Sequence, residues 1–443
     1  MPTNLIMILG QKWKLLGILL LITNVFASPA LEGFNVIVKD LTVAGKNVQI
    51  SPFAGIGVVS ISLCFKNAGE KLSPKHKEAL VSLLTRFLGE ATATKTHEQL
   101  QDYSRKQNIH VSFASDGDHF MINGRCTPNK LAELINFIKE LLLQARFNDA
   151  DLNRFKKEMV AGLSQAMQSP DMQLSELVKE VICGHHAYGT SSQTYLASLK
   201  NITTADFKPY MQDCFTGENL IISACGEFDE AELQQQLELL IVALPKNFKA
   251  TPPTNIEVVG PYKTHSRTFP VPQTVLSFWH KGIGLHHPDF FALHMAVRCL
   301  ADPSVGFLSK KVRDEKGLTY HISAGLEIQE HLNRFVVSAS TQTANVGTLM
   351  DAVHEVFADV YKNGLSPELV KNIKQSFIGN YKRSFNSSSH ISTRLMHHQL
   401  ADRPVDYHKI VVEKIEALTP EQINEAFKKF LNPEQFVIFT VGQ

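Results

Sequence analysis

The sequence has almost no excess charge of either sign. Over 443 residues, 44 Lys and Arg face 43 Asp and Glu, a formal balance of +1. That removes the basic footprint expected of a nucleic-acid binder. Cysteine is sparse as well. The six residues (Cys64, Cys126, Cys183, Cys214, Cys225, Cys299) are scattered with no C-x-x-C, which excludes a zinc ribbon or a dithiol redox motif. Long uninterrupted apolar runs are missing from the body of the chain. With 44 % apolar and 20 % charged residues, neither a multi-span membrane protein nor a largely disordered chain fits.

One short apolar run stands apart at the start. Lys12 and Lys14 precede Leu15 to Phe26, and Val25-Phe26-Ala27 supplies small residues for cleavage. This reads as a secretory signal peptide over residues 1–27. An uncleaved anchor is the alternative, but a dozen residues are short for a membrane span. Cleavage removes two positive charges and no acid, so the balance becomes −1. Export, to a periplasm or cell envelope, permits disulfides. Cys64, Cys183 and Cys225 nevertheless lie within apolar runs, where buried free thiols are the simpler reading.

The remaining length suggests two to three domains. A stretch rich in proline, residues 243–262 with Pro245, Pro252, Pro253 and Pro261, reads as a linker. The flanking parts, 28–242 and 263–443, look like one unit written twice. Ile202-Thr203 opens a helical pattern that ends in the strand Leu220 to Cys225 and then Gly226. Leu418-Thr419 opens another that ends in Phe436 to Val441 and then Gly442, 216 residues further on at both ends. Asp151 to Gly162 aligns with Glu368 to Gly379 at an offset of 217. So long a period is no solenoid. It implies two homologous domains.

Alternating and continuous apolar segments predict strands at Phe34–Val38, Asn47–Ile50, Val58–Phe65, Ile109–Phe113 and His119–Gly124. Helical periodicity predicts helices over Pro74–Phe87, Lys130–Gln144 and Asp149–Gln168. The second half repeats the order: strand Thr274–Trp279, helix Asp289–Leu300, strands near Tyr320–Leu326 and Arg334–Thr341, helix Val346–Lys362. Grouped strands and helices make each half α+β, a mostly antiparallel sheet with helices packed on it.

Several segments resemble the pitrilysin-type zinc metallopeptidases, the group that includes insulysin and the mitochondrial processing peptidase. They are Asn67-Ala-Gly-Glu70, Cys183-Gly-His-His-Ala-Tyr-Gly189, Ser198 to Phe207, and Leu308-Ser-Lys-Lys-Val-Arg-Asp-Glu-Lys-Gly-Leu-Thr-Tyr320. Their order and spacing in a duplicated chain carry the likeness over nearly the whole mature length. The resemblance implies two tandem domains of that fold. It also implies a zinc site in an H-x-x-E-H helix, where two histidines one turn apart bind the metal and the glutamate acts as base.

Here the matching helix reads Ala79-Leu-Val-Ser-Leu-Leu-Thr-Arg-Phe-Leu-Gly-Glu-Ala-Thr92. Ser82, Thr85 and Arg86 stand where the family has its two histidines and glutamate. The further glutamate ligand falls at Ala161-Gly162. A fixed positive charge at Arg86 opposes a metal ion. Among the 18 histidines, His97 and His354 lack a second histidine one turn on. The pairs His185-His186, His286-His287 and His397-His398 are adjacent and do not face one side. No catalytic or metal-ligating set remains in this chain.

What remains is Arg313 and Tyr320. In bacterial members similar to this one, the resemblance implies, a subunit without H-x-x-E-H lends such an R/Y pair to a zinc-bearing partner, where it holds the peptide substrate. A guanidinium fork and a phenol suit peptide carbonyls or a developing oxyanion. Without the resemblance, Arg313 is a solvated helix-end arginine and Tyr320 a half-buried strand aromatic. The family's glycine-rich loop before this helix is here Leu300-Ala-Asp-Pro-Ser-Val-Gly-Phe-Leu308, which is stiffer. The expectation is a non-catalytic subunit of a heterodimeric zinc metalloendopeptidase, with the zinc in the partner. The alternative is a structural homologue similar to respiratory-complex core subunits, with no proteolytic role. The leader predicts a mature N-terminus near Ser28 in the cell envelope. Mass spectrometry of the native protein checks this; residues 1–27 retained on cytoplasmic protein refute it.

Overall fold

The computed structural model describes residues 36–259 and 262–443. The leader, and Phe34 and Asn35 of the first expected strand, lie outside these residues. The first sheet contains β1 (Lys39–Val43), β2 (Lys46–Pro52), β3 (Val59–Phe65), β4 (His110–Ser115), β5 (Phe120–Cys126) and β6 (Leu220–Gly226), in the order β1-β2-β6-β3-β5-β4. The second contains β7 (Thr264–Thr268), β8 (Gln273–Lys281), β9 (Ile322–Ile328), β10 (Asn333–Gln342) and β11 (Val437–Gly442), in the order β7-β11-β8-β10-β9. Only β2 with β6 and β7 with β11 run parallel. From β2 onward the two orders are the same, so the repeated sequence is a repeated topology.

Helices fill the rest of each half. The first carries α1 (Leu80–Phe87), α2 (His97–Gln107), α3 (Leu131–Leu143), α4 (Asp149–Ala166), α5 (Pro170–Val178), α6 (Ser192–Ser198), α7 (Phe207–Cys214) and α8 (Glu230–Ala243). The second carries α9 (Phe290–Ala301), α10 (Val346–Asn363), α11 (Pro367–Arg383), α12 (Ser388–Leu400), α13 (Tyr407–Ala417) and α14 (Pro420–Phe430).

The first strand differs from expectation. Val36 to Val38 are not strand, and β1 begins at Lys39. The cause is the two-residue turn Ala44-Gly45, with φ of 48° and 77°, which pairs Val43 with Lys46 and so sets β1 against β2. The 244–259 stretch is pinned rather than free: the Ile256 amide donates to the His331 carbonyl at 2.8 Å, and Val258 is buried.

One face of each sheet is covered by its own half. Ile61, Leu63 and Phe65 of β3 join the core with α1, α3, α7 and α8. Leu276 and Phe278 of β8 join α9, α10 and α14. The opposite faces are covered by an exchange. Helix α12, from the second half, lies on β2, β6, β3 and β5, and α5, from the first half, lies on β7, β11 and β8. Covered on both sides, β3 is buried throughout and β8 along all but its ends, whereas edge strand β4 alternates.

The two contacts differ in chemistry. On the first sheet, Ser60 Oγ meets Ser388 Oγ at 2.8 Å, Ser62 Oγ meets Ser392 Oγ at 3.0 Å, and Ser223 Oγ donates to the Ser392 carbonyl at 2.6 Å. On the second, Leu177 and Val178 pack on Val275, Trp279, Phe439 and Val441.

The repeated glycines close both sheets. A Cβ on Gly226, at φ 136°, would meet the Val58 carbonyl oxygen at 2.1 Å, and one on Gly442 would meet Thr274 Oγ1 at 2.1 Å. Gly162 in α4 has open space around it. We therefore expect Gly226→Ala to destabilise the protein by about 3 kcal/mol or more and Gly162→Ala to stabilise it by roughly 1 kcal/mol. Denaturant unfolding of both variants checks the pair; an unaffected Gly226→Ala would contradict the close approach.

Candidate functional site

Helix α1 buries Leu80, Val81, Leu83, Leu84 and Phe87 in the first core. Its 3.6-residue period then turns Ser82, Thr85 and Arg86 away from that core. Each has a protein partner. Ser82 Oγ donates to Glu70 Oε1 and also bonds the Tyr195 hydroxyl. Thr85 Oγ1 donates to the Val81 carbonyl of its own helix at 2.9 Å. Arg86 donates to Glu158 Oε2 at 3.1 Å. Burial pushes the Tyr195 phenol up to about 12, against the Ser82 bond and aided by the Glu70 charge.

Helix α4 passes beside α1, and Ala161 and Gly162 bring no ligand. The carboxylate of α4 nearest in sequence to Gly162 is Glu158, one turn before it, and it is taken by Arg86. Arg154 continues the network to Glu90 at 3.0 Å and to Glu158 at 3.6 Å, and His97 reaches Glu90 at 3.6 Å. Two hydroxyls and a guanidinium do not make a zinc site. Among the described residues no three His, Cys, Asp or Glu side chains are grouped to hold a metal. The six cysteines are free thiols, all buried except the half-buried Cys183. The sequence reading overlooked Glu158 and Glu70. Glu158 carries a local signal, four residues before Gly162, on the same helix face. Glu70 has none, because the strand-to-helix path that returns it to Ser82 is tertiary.

In the second half, Arg313 lies within the wide helical turn Ser309–Glu315 rather than at a plain helix end. It donates through Nε to Asp314 Oδ1 at 2.7 Å and through a terminal nitrogen to the Pro303 carbonyl at 3.0 Å. The hydrogen bond and charge of Asp314 raise its pKa further. The preceding loop is tied down. Asp302 accepts from the Ser304 and Val305 amides, and a Cβ on Gly306 would strike the Asp302 carbonyl oxygen at 2.5 Å. Tyr320 follows the Gly317 turn, at φ 60°. It does not open a strand: Thr319 Oγ1 bonds the His321 and Ser340 carbonyls, and β9 starts at Ile322. Nor is it half-buried, as its bare sequence context suggested; it is 95 % exposed. No hydrogen bond among the described residues joins Arg313 to Tyr320.

Residues 201–377 match a family model described as the peptidase M16 inactive domain. The fold is that of a crystal structure of a peptidase M16 inactive domain from Pseudomonas fluorescens, with a TM-score of 0.80 at 22 % identity over 92 % of this chain and 98 % of that one. An uncharacterized zinc protease of Bacillus subtilis, YmxG, is 17 % identical over 357 residues, 79 % of this chain and 86 % of the relative. These likenesses support an inactive member of the pitrilysin-type (M16) peptidase family. The periplasmic protease PqqL of Escherichia coli is another pitrilysin-type neighbour, with a TM-score of 0.76 at 14 % identity over 92 % of this chain but 47 % of that one. The likenesses are those of an inactive M16-family peptidase homologue.

The Arg86–Glu158 pair joins α1 to α4. Both side chains are 46 % exposed, and such pairs contribute at most about 1 kcal/mol. Arg86→Met should therefore change unfolding stability by less than about 1 kcal/mol. A loss of several kcal/mol in denaturant unfolding would contradict this.

Proposed function

We propose that the chain is the non-catalytic subunit of a heterodimeric zinc metalloendopeptidase, exported to the periplasm or cell envelope. It lends Arg313 and Tyr320 to a partner that carries H-x-x-E-H and the zinc. The observation that carries this reading is Tyr320: a phenol 95 % exposed, held beyond a fixed turn in a protein whose other large aromatics are mostly buried. Exposure of that kind suits a side chain that completes a site on another molecule. That the chain matches only about half of PqqL supports a second unit of similar size beside it. Among the described residues no helix is long and apolar enough to cross a membrane.

In this reading Arg313 exchanges the Pro303 carbonyl for a substrate carbonyl, and Tyr320 donates beside it. The partner's zinc supplies the activated water. The second reading, a structural homologue without a proteolytic role, draws on one observation: the Arg313 guanidinium already has Asp314 and Pro303 as partners.

Co-purification of the native protein with an H-x-x-E-H subunit is the first test, and this chain alone should carry no stoichiometric zinc by metal analysis. In the complex, Arg313→Ala or Tyr320→Phe should leave assembly and melting temperature intact while peptide cleavage falls on the order of a hundredfold. A raised KM alone would mean lost ground-state grip. The double variant should be less than additive, and Arg313→Lys should rescue incompletely. Unchanged kcat and KM in a stable double variant would leave the structural reading.

A further inference from the structure

Behind the loop at Gly69 to Ser73 a cavity of about 370 Å³ opens between the halves. Lys71 forms one wall. Helix α5 and the wide turn after it, through Val178, Lys179 and Cys183, form another. The floor is the side of β8, β9 and β10 that α5 faces but does not fully cover. Neither the Ser82, Thr85 and Arg86 positions nor Arg313 and Tyr320 line it.

The floor is apolar, with Leu332, Val336 and the Trp279 indole, over which the Arg334 guanidinium stacks at 4.3 Å. Three cations, Lys71, Lys179 and Arg334, and two carboxylates, Glu327 and the exposed Asp171, line the cavity, and two of the cations are paired. Lys179 pairs with Glu176 at 2.9 Å, and Arg334 pairs with Glu327. Lys71 has no carboxylate at ion-pair distance among the described residues; its ammonium lies over the Tyr188 ring, 5.8 Å from the centroid. Its acidic neighbours are committed elsewhere: Glu70 to Ser82, and Asp118 to the Tyr188 hydroxyl at 2.6 and 2.7 Å. Burial, then the like charge of Lys179, holds the Lys71 ammonium below its usual pKa. A partly buried ammonium without a counter-ion is costly, so an anion entering here gains that penalty back as affinity.

We propose that this cavity binds a monoanionic carboxylate with an apolar end, Lys71 being its counter-ion and Trp279, Leu332 and Val336 its apolar seat. Among the described residues Lys71 is the one cation of the lining without an ion pair, and Asp171 also lines the cavity, so the site suits at most a monoanion; a phosphate dianion would need a second free cation. The volume suits a small ligand. Two sources present this chemistry, the C-terminal residue of a peptide and a free amphipathic carboxylic acid. The inference does not depend on Arg313, Tyr320 or a partner subunit.

The sequence has two tryptophans, Trp13 within the expected leader and Trp279, so the protein from Ser28 onward, or the full chain with Trp13→Phe if the leader is retained, reports from the cavity floor. Its fluorescence is titrated with N-acetyl-leucyl-leucine, with the C-terminal amide of that dipeptide, and with octanoate, each to about 10 mM. At least one acid should give a saturable change, and the amide should bind at least about tenfold more weakly than the peptide acid if that acid binds. Response to the peptide acid alone assigns the peptide terminus; response to octanoate alone assigns a free acid. Lys71→Met should keep the melting temperature and weaken the acid about tenfold or more. Ser338→Phe, which fills the floor without touching Lys71, should abolish the response. No saturable change with either acid overturns the proposal, as does an amide equal to its acid, or undiminished binding in both variants.

Discussion

Each sheet has two faces to bury, and each half brings helices for only one of them. The other face is closed by a single helix borrowed from the opposite half, α12 on the first sheet and α5 on the second. The central strands depend on this exchange. Without α12, Ser60, Ser62 and Ser223 would lose their hydroxyl and carbonyl partners. Without α5, Val275, Trp279 and Phe439 would face water. Neither half can be a finished domain by itself, although each has a core of its own. The gain is one rigid frame on which α1 and the Arg313 turn hold fixed places.

On that frame the outer face of α1 is a surface of paired charges and hydroxyls. Ser82 donates to Glu70, and Arg86 donates to Glu158. A cation arriving there meets a guanidinium first. Each of Ser82, Thr85 and Arg86 is already engaged with a neighbour, so changing one position alone would leave the others paired.

The duplication was legible because the backbone demands glycine at the same place twice. Gly226 and Gly442 each lie against the neighbouring strand too closely for a Cβ, so they survive where most other letters have drifted. The doubly covered strands β3 and β8 were legible for a related reason, being apolar or small along their length. Helix α2 was not. It buries only Leu100, so it has no apolar stripe, and its one local mark is the Thr96–Gln99 capping box. The first strand was misplaced because Phe34 to Val38 is apolar, while the Ala44-Gly45 turn, not hydropathy, decides which residues pair. Arg313 and Tyr320 could be picked out by resemblance, but the Pro303 carbonyl that holds Arg313 depends on a loop conformation that no sequence periodicity records.

The exchange of helices is unequal, and the inequality has a chemical consequence. Helix α12 reaches β5, the fifth strand of its sheet, whereas the contacts of α5 centre on β7, β11 and β8. The matching strand β10, with β9 beyond it, keeps part of a face uncovered. On the first sheet the covered face is lined with serines that need hydrogen-bonding partners. On the second the cavity floor is formed by Trp279 and Val336, both buried, and its rim carries the paired Lys179 and Arg334 together with Asp171 and Lys71. An apolar floor beside one unpaired ammonium is poor as a core and poor as a surface. It is stable in isolation only because α5 and the Cys183–Gly189 turn hold its walls, with Tyr188 fixed to Asp118 and accepting from the His331 amide at 3.3 Å. The Gly184–Gly189 turn thus acquires a role that its sequence alone did not suggest. It braces the side of the cavity against the β9–β10 connection, so that a void left by incomplete symmetry is kept open rather than collapsed.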